Sequence, residues 1–181
     1  MFIVIEGMDG TGKTTVVDKL VQKNAWIQTK TPNGPEFRSI LLDHNNLPRL
    51  SQMLIFFADM VDVDHNIIQP NLKMGQTVIC DRWYLSTQIY QIRDNPYYQK
   101  LQDGLKLTKP DYTFVLDLPV KAAMQRINKR DRYESHDEAA WNERRRAYLD
   151  TRDVIVIDTR DKNSNQIVEE ICQELPSNST C

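Results

Sequence analysis

Near the start of the chain, Gly7-Met8-Asp9-Gly10-Thr11-Gly12-Lys13-Thr14 sets glycines, a lysine and a hydroxyl at the spacing G-x-x-x-x-G-K-[ST]. The glycines let successive backbone N–H groups turn inward around phosphate oxygens with no Cβ in the way. A helix that starts beside Lys13 points the positive end of its dipole at the same place. The loop is an anion site before any side chain acts. Lys13 then reaches the β- and γ-phosphates and the Thr14 hydroxyl ligates Mg²⁺, which narrows the ligand to ATP or GTP with magnesium. Gly7, Met8, Asp9, Gly10, Thr11, Gly12, Lys13, Thr14 and Thr15 are the expected nucleotide-binding residues.

A second group follows the β-branched run Thr77 to Cys80, where Asp81-Arg82-Trp83 puts an acid and a base at the carboxyl end of a strand. Ligands of open α/β sheets bind at such ends. Asp81 is expected in the Mg²⁺ shell, and Arg82 is expected to hold a second anion across from the glycine loop. Asn128-Lys129-Arg130-Asp131 has the letters of the guanine-reading N-K-x-D, but it follows an apparent helix from Val120 to Ile127, whereas a guanine reader ends a strand.

Both groups need a frame that delivers strand ends to one edge. Phe2 to Ile5, Thr77 to Cys80, Tyr112 to Leu116 and Val154 to Ile157 are too uniformly apolar to alternate, as strands buried on both faces are. Thr14 to Gln22, Ser51 to Ile68, Val120 to Lys129, Glu138 to Leu149 and Asn165 to Leu175 repeat apolar residues at helical spacing. The pattern predicts an α/β fold with a parallel sheet covered by helices on both faces. Pro70 is read as following a helix, and Pro110 and Pro119 as flanking a strand. Gln28 to Leu47 and the charge-dense Arg126 to Asp137 have no assigned element and are read as loops over a site, the second alternatively as a solvated helix end.

The chain has 181 residues, the length of a single domain, and 40% apolar residues, enough for a core. Its 23 basic and 25 acidic residues give a net charge of -2, so no global positive field favours nucleic acid. No apolar run approaches a membrane span, and Met1 to Glu6 lacks the basic region of a signal peptide. Cys80, Cys172 and Cys181 are scattered and fit a reducing compartment. A cytoplasmic protein without nucleic-acid or membrane partners is expected.

From Phe2 to Thr15, and in Asp81-Arg82-Trp83-Tyr84-Leu85-Ser86-Thr87-Gln88-Ile89-Tyr90-Gln91, the sequence resembles the thymidylate kinases, which are nucleoside monophosphate kinases. The similarity continues through Leu54 to Ala58, Pro110 to Asp117, Arg126 to Glu134 and Trp141 to Leu149. It implies a three-layer P-loop NTPase fold over residues 1–181, with a small arginine-rich lid at about 126–137. It further implies that Asp9 meets the acceptor's 3′-hydroxyl, that Arg82 and Arg38 hold its phosphate, and that Phe56 stacks on its base. Thr87 would bond the base edge, and Tyr90 would lie against C2′ and exclude a 2′-hydroxyl. Arg126, Arg130 and Arg132 would form the lid. With Thr11 where some relatives have a basic P-loop residue, the transition-state arginine would come from that lid. Lys13, Asp9, Arg82 and the lid arginines are thus the expected catalytic set, with Thr14 and Asp81 for the metal.

The sequence departs from the resemblance at two places that bear on the base. Lys30-Thr31-Pro32-Asn33 has no acid before its proline, and Met60 stands where an arginine would donate to thymine O4. The expected reaction is transfer of the ATP γ-phosphoryl group to dTMP. The same transfer to other or broader deoxynucleoside monophosphates, a deoxynucleoside kinase, and a nucleotide-dependent switch stay open. Ser51 to Ile68 is apolar on more than one face (Met53, Leu54, Phe56, Phe57, Met60, Val61, Val63), which fits either a homodimer seam, as the resemblance implies, or a helix inside the monomer.

Overall fold

The computed structural model describes residues 1–43, 47–91, 96–127 and 137–176. Five parallel strands stand in the order β2-β3-β1-β4-β5: β1 Phe2–Glu6, β2 Ile27–Lys30, β3 Val78–Asp81, β4 Tyr112–Asp117 and β5 Ile155–Asp158. The central β1 is buried along its whole length and pairs with β3 (Val4 beside Cys80) and with β4 (Val4 beside Thr113). Alternation along β1 sends Ile3 and Ile5 into one core layer and Phe2 and Val4 into another. Helices therefore cover both faces, as the apolar runs predict.

On the first face lie α1 (Lys13–Asn24), which follows β1, and α9 (Ser164–Glu174) near the end of the chain; Val17 and Leu20 of one meet Ile167 and Ile171 of the other. On the second face lies α3 (Arg49–Val63), whose Met53, Phe57, Met60 and Val63 enter the core with Phe2 and Val4. The remaining helices are α2 (Pro35–Asp43), α4 (Gln69–Lys73), α5 (Tyr84–Gln91), α6 (Pro96–Leu105), α7 (Val120–Arg126) and α8 (Glu138–Leu149).

Several expectations are corrected here. Gln28 to Leu47 is not a loop: it contains most of β2, an edge strand with little apolar signal, and then α2. Pro70 does not follow a helix end. The helix runs on from α3 through a π-helical turn at Asp64–Ile68 into α4, and the Gln69 N–H donates to the Asp64 carbonyl just before the proline, which has no donor to give. Ser51 to Ile68 is thus part of a longer, interrupted helix. Cys80 is a buried free thiol.

Candidate active site

The turn from β1 into α1 is possible only with glycine at its tight points. Gly7 has φ +136° and a Cβ there would lie 2.6 Å from the Leu116 carbonyl oxygen; at Gly10, φ +77°, it would lie 2.4 Å from that of Ala123. The N-terminus of α1 carries no acidic side chain in its first turn and keeps its dipole for an anion. Lys13 is buried at 6% exposure, and its ammonium donates to the Met8 carbonyl oxygen at 2.8 Å and stands 3.6 Å from Asp9 Oδ1. Burial first, and the Arg82 charge second, lower its pKa to about 8. The Thr14 hydroxyl donates to Asp81 Oδ2 at 2.7 Å, joining the two residues expected to hold the metal. Asp81 Oδ1 is buried with no hydrogen-bond partner among the described residues, an acceptor that suits a hard cation. No group of three or more His, Cys, Asp or Glu among those residues forms a metal cage of its own.

Arg82 occupies the left-handed region at φ 72°, a conformation costing about 1–3 kcal/mol in a non-glycine residue. The surroundings impose it. Its N–H donates to the Ile5 carbonyl at 3.0 Å, and its own carbonyl accepts the Thr31 hydroxyl at 3.0 Å and the Cys80 thiol at 2.9 Å. The guanidinium pairs with Asp9 and donates to the Gly7 carbonyl at 3.2 Å and the Ser86 hydroxyl at 2.9 Å. Beneath it Glu6, wholly buried, accepts from the Trp83 N–H at 2.9 Å, the Ser86 N–H at 3.2 Å and the Ser86 hydroxyl at 2.5 Å. Burial raises the Glu6 carboxyl above its ordinary value. The Tyr148 hydroxyl lies 2.9 Å from the Ser86 hydroxyl and closes the network from α8. Glu6 and Tyr148 carry no functional assignment in the sequence reading, although a lone carboxylate in an apolar strand is itself a signal.

The glycine loop, Asp81 and Arg82 open onto one cleft of about 1180 Å³. Residues 9–15 line it, with Asp81 and Arg82, and so do Arg38, Phe56, Thr87, Tyr90 and Arg126. The Gly7 and Met8 side positions do not: Met8 packs in the core and offers only its carbonyl. Arg130 and Arg132 lie outside the described residues. Met60 is corrected. It is fully buried among Phe2, Val4 and Met53 and does not line the cleft, because its turn of α3 faces the sheet. Arg49 and Gln52 do line it; with Phe56 they follow the i, i+3, i+7 spacing of one helix face, a signal legible in the sequence but unused. Thr31, the residue before Pro32, braces the Arg82 carbonyl.

The family model for thymidylate kinase matches residues 5–171, nearly the whole chain and all of the site above. The chain belongs to the thymidylate kinase family. It is 30% identical to a thymidylate kinase of Wolbachia pipientis wMel over 97% of this chain and 100% of that one. It is 31% identical to a thymidylate kinase of Fervidobacterium nodosum, over 97% and 96% of the two chains. A crystal structure of thymidylate kinase from Ehrlichia chaffeensis superposes with a TM-score of 0.79 at 26% identity, covering 97% of this chain and 98% of that one. Membership in the thymidylate kinase family accounts for the five-stranded parallel sheet with its glycine loop after β1. No helix among the described residues is long and apolar enough to cross a membrane.

Proposed function

We propose that this member of the thymidylate kinase family transfers the γ-phosphoryl group of ATP to the 5′-phosphate of a deoxynucleoside monophosphate, dTMP first. The observation that carries this reading is that one cleft holds a phosphate loop and, beside it, further cations that include Arg38 and Arg82, with the aromatic ring of Phe56. A hydrolysing switch has no use for a second anion site with a stacking platform, and a nucleoside acceptor brings no phosphate for two arginines.

The backbone of residues 7–13 and the Lys13 ammonium hold the donor phosphates. Arg82, restrained by Asp9, Gly7 and Ser86, holds the acceptor phosphate in line, and Asp9 meets the 3′-hydroxyl. Catalysis is positioning together with charge neutralisation, with no covalent intermediate. Thr14 and Asp81 would hold Mg²⁺, which would supply neutralisation of the phosphate oxygens. Arg126 stands exposed at the end of α7 and lines the cleft; its guanidinium, closing over the transferring group, would stabilise charge that appears only in the transition state. Lid closure also keeps water from ATP. With Met60 in the core, the base is read through Phe56, Thr87 and Gln52.

Leu50, Leu54 and Val61 stand exposed along the face of α3 that turns away from the core, which supports a homodimer formed across this helix. The need for ATP supports a cytoplasmic enzyme, and the one five-stranded sheet among the described residues supports a single domain.

A coupled assay of ATP consumption against dTMP, dCMP, dUMP and thymidine tests the reading. The expected order is dTMP above the other monophosphates, with thymidine inert. Thymidine consumed faster than dTMP would overturn it.

A further inference from the structure

The run Arg144-Arg145-Arg146 in α8 divides its three charges among three directions, as neighbours about 100° apart on a helix must. Arg145 forms a two-pronged pair with Asp117, Nε to Oδ1 and Nη2 to Oδ2, both at 2.7 Å. Arg146 is exposed. Arg144 is half-buried, lines the cleft, and places its guanidinium carbon 4.7 Å from the centroid of the Tyr90 ring. The Arg82 guanidinium carbon also lies over that ring, at 5.2 Å.

We propose that Arg144 is a positioning residue of the acceptor site: by packing its guanidinium on Tyr90 it fixes the ring that faces the acceptor sugar, and so sets the preference for deoxyribose. The proposal rests on Tyr90 being the sugar contact of the proposed kinase. Tyr90 sits in the last turn of α5, where the helix itself gives least restraint, so its ring is held by tertiary contacts. Arg82 cannot follow a swing of the ring, because its guanidinium is committed to Asp9, Gly7 and Ser86. Arg144 meets the ring from α8, an element separate from the phosphate loop. Its own place is secured one turn on, where Tyr148 at i+4 is fully buried and bonded to Ser86, and three residues back, where Trp141 enters the core. A planar guanidinium on an aromatic face is directional, and a ring so held keeps one distance to C2′. Exclusion of a 2′-hydroxyl is steric and fails when the ring can retreat.

The measurement is the ratio of kcat/KM for dTMP over ribothymidine 5′-monophosphate in wild type, Tyr90→Ala, Arg144→Met, Arg144→Lys and the Tyr90→Ala/Arg144→Met double variant. Tyr90→Ala is expected to lower the ratio. Arg144→Met is expected to lower it about three- to tenfold, with the KM for ATP unmoved, and Arg144→Lys to recover part of the loss. In the Tyr90→Ala background Arg144→Met should change nothing more, since its effect passes through the ring. The proposal is overturned if Arg144→Met leaves the ratio unmoved while Tyr90→Ala lowers it. Equal drops in both backgrounds would make Arg144 a direct contact and also overturn it. If Tyr90→Ala itself leaves the ratio unchanged, the sugar reading falls and the proposal with it. Circular dichroism checks folding, and Arg144→Gln carries the same test if the methionine variant does not fold.

Discussion

Lys13 is a cation almost wholly buried at the wall of the cleft, next to another cation, and this has a measurable consequence. Its pKa of about 8 is lowered by burial and by Arg82, against about 10.4 for a free lysine. Below pH 8 the side chain is charged both folded and unfolded, and the cost of burying the charge is fully present. Between 8 and the unfolded value the unfolded chain binds more protons, so this residue's contribution to stability rises with pH over that window. Nucleotide phosphates favour the charged form. ATP binding should therefore take up a proton above pH 8 and weaken as pH rises, with little uptake at pH 7. Calorimetry in buffers of different ionisation enthalpy reads the proton directly, and Lys13→Arg, charged throughout, should abolish the uptake. The same uptake in Lys13→Arg would assign the proton to another group.

Among the elements, β1, β3 and β4 were legible as apolar runs, and so were α1, α8 and α9, because burial on two faces or on one stripe writes itself into residue type; β5 was legible as an apolar run, but it stands at the sheet edge with Val156 exposed, so the expected burial on both faces does not hold for it. β2 was not, since an edge strand reading Ile27-Gln28-Thr29-Lys30 buries only Thr29 fully. α2 was hidden by the proline and glycine at its start. The loop between them is anchored from elsewhere in the chain: Asp59 of α3, almost wholly buried, accepts the Asn33 N–H at 2.9 Å and the Gly34 N–H at 3.4 Å. Burial raises the Asp59 carboxyl above its ordinary value. No local signal announces such a tie. It sets where α2 begins and hence where Arg38 reaches the cleft. Asp59→Ala should raise the KM for the acceptor several-fold with the KM for ATP unchanged, and cost about 1–3 kcal/mol of stability from the unpaired N–H groups. Steady-state kinetics beside thermal unfolding checks it; a lower Tm with both KM values intact would make the anchor purely structural.

At the scale of the molecule, the parallel order β2-β3-β1-β4-β5 brings the ends of β1 and β3 side by side, and that adjacency joins the two motifs into one cleft. The glycine loop and Asp81-Arg82 were readable in the sequence because their chemistry depends on residue type and strand ends. Met60 misled, because spacing from Phe56 gives a position along a helix without saying that this turn faces the sheet. The network of Glu6, Ser86, Tyr148 and Arg82 draws on residues far apart in the chain, and only the fold assembles it. The central claim is that donor and acceptor phosphates meet in this cleft and one phosphoryl group passes between them. It is tested most directly by incubating the protein with dTMP, Mg²⁺ and ATP labelled at the γ-phosphate, then separating the products. The account predicts label in the β-phosphate of dTDP, one for each ADP formed. Label released as inorganic phosphate, with dTMP unchanged, would contradict it.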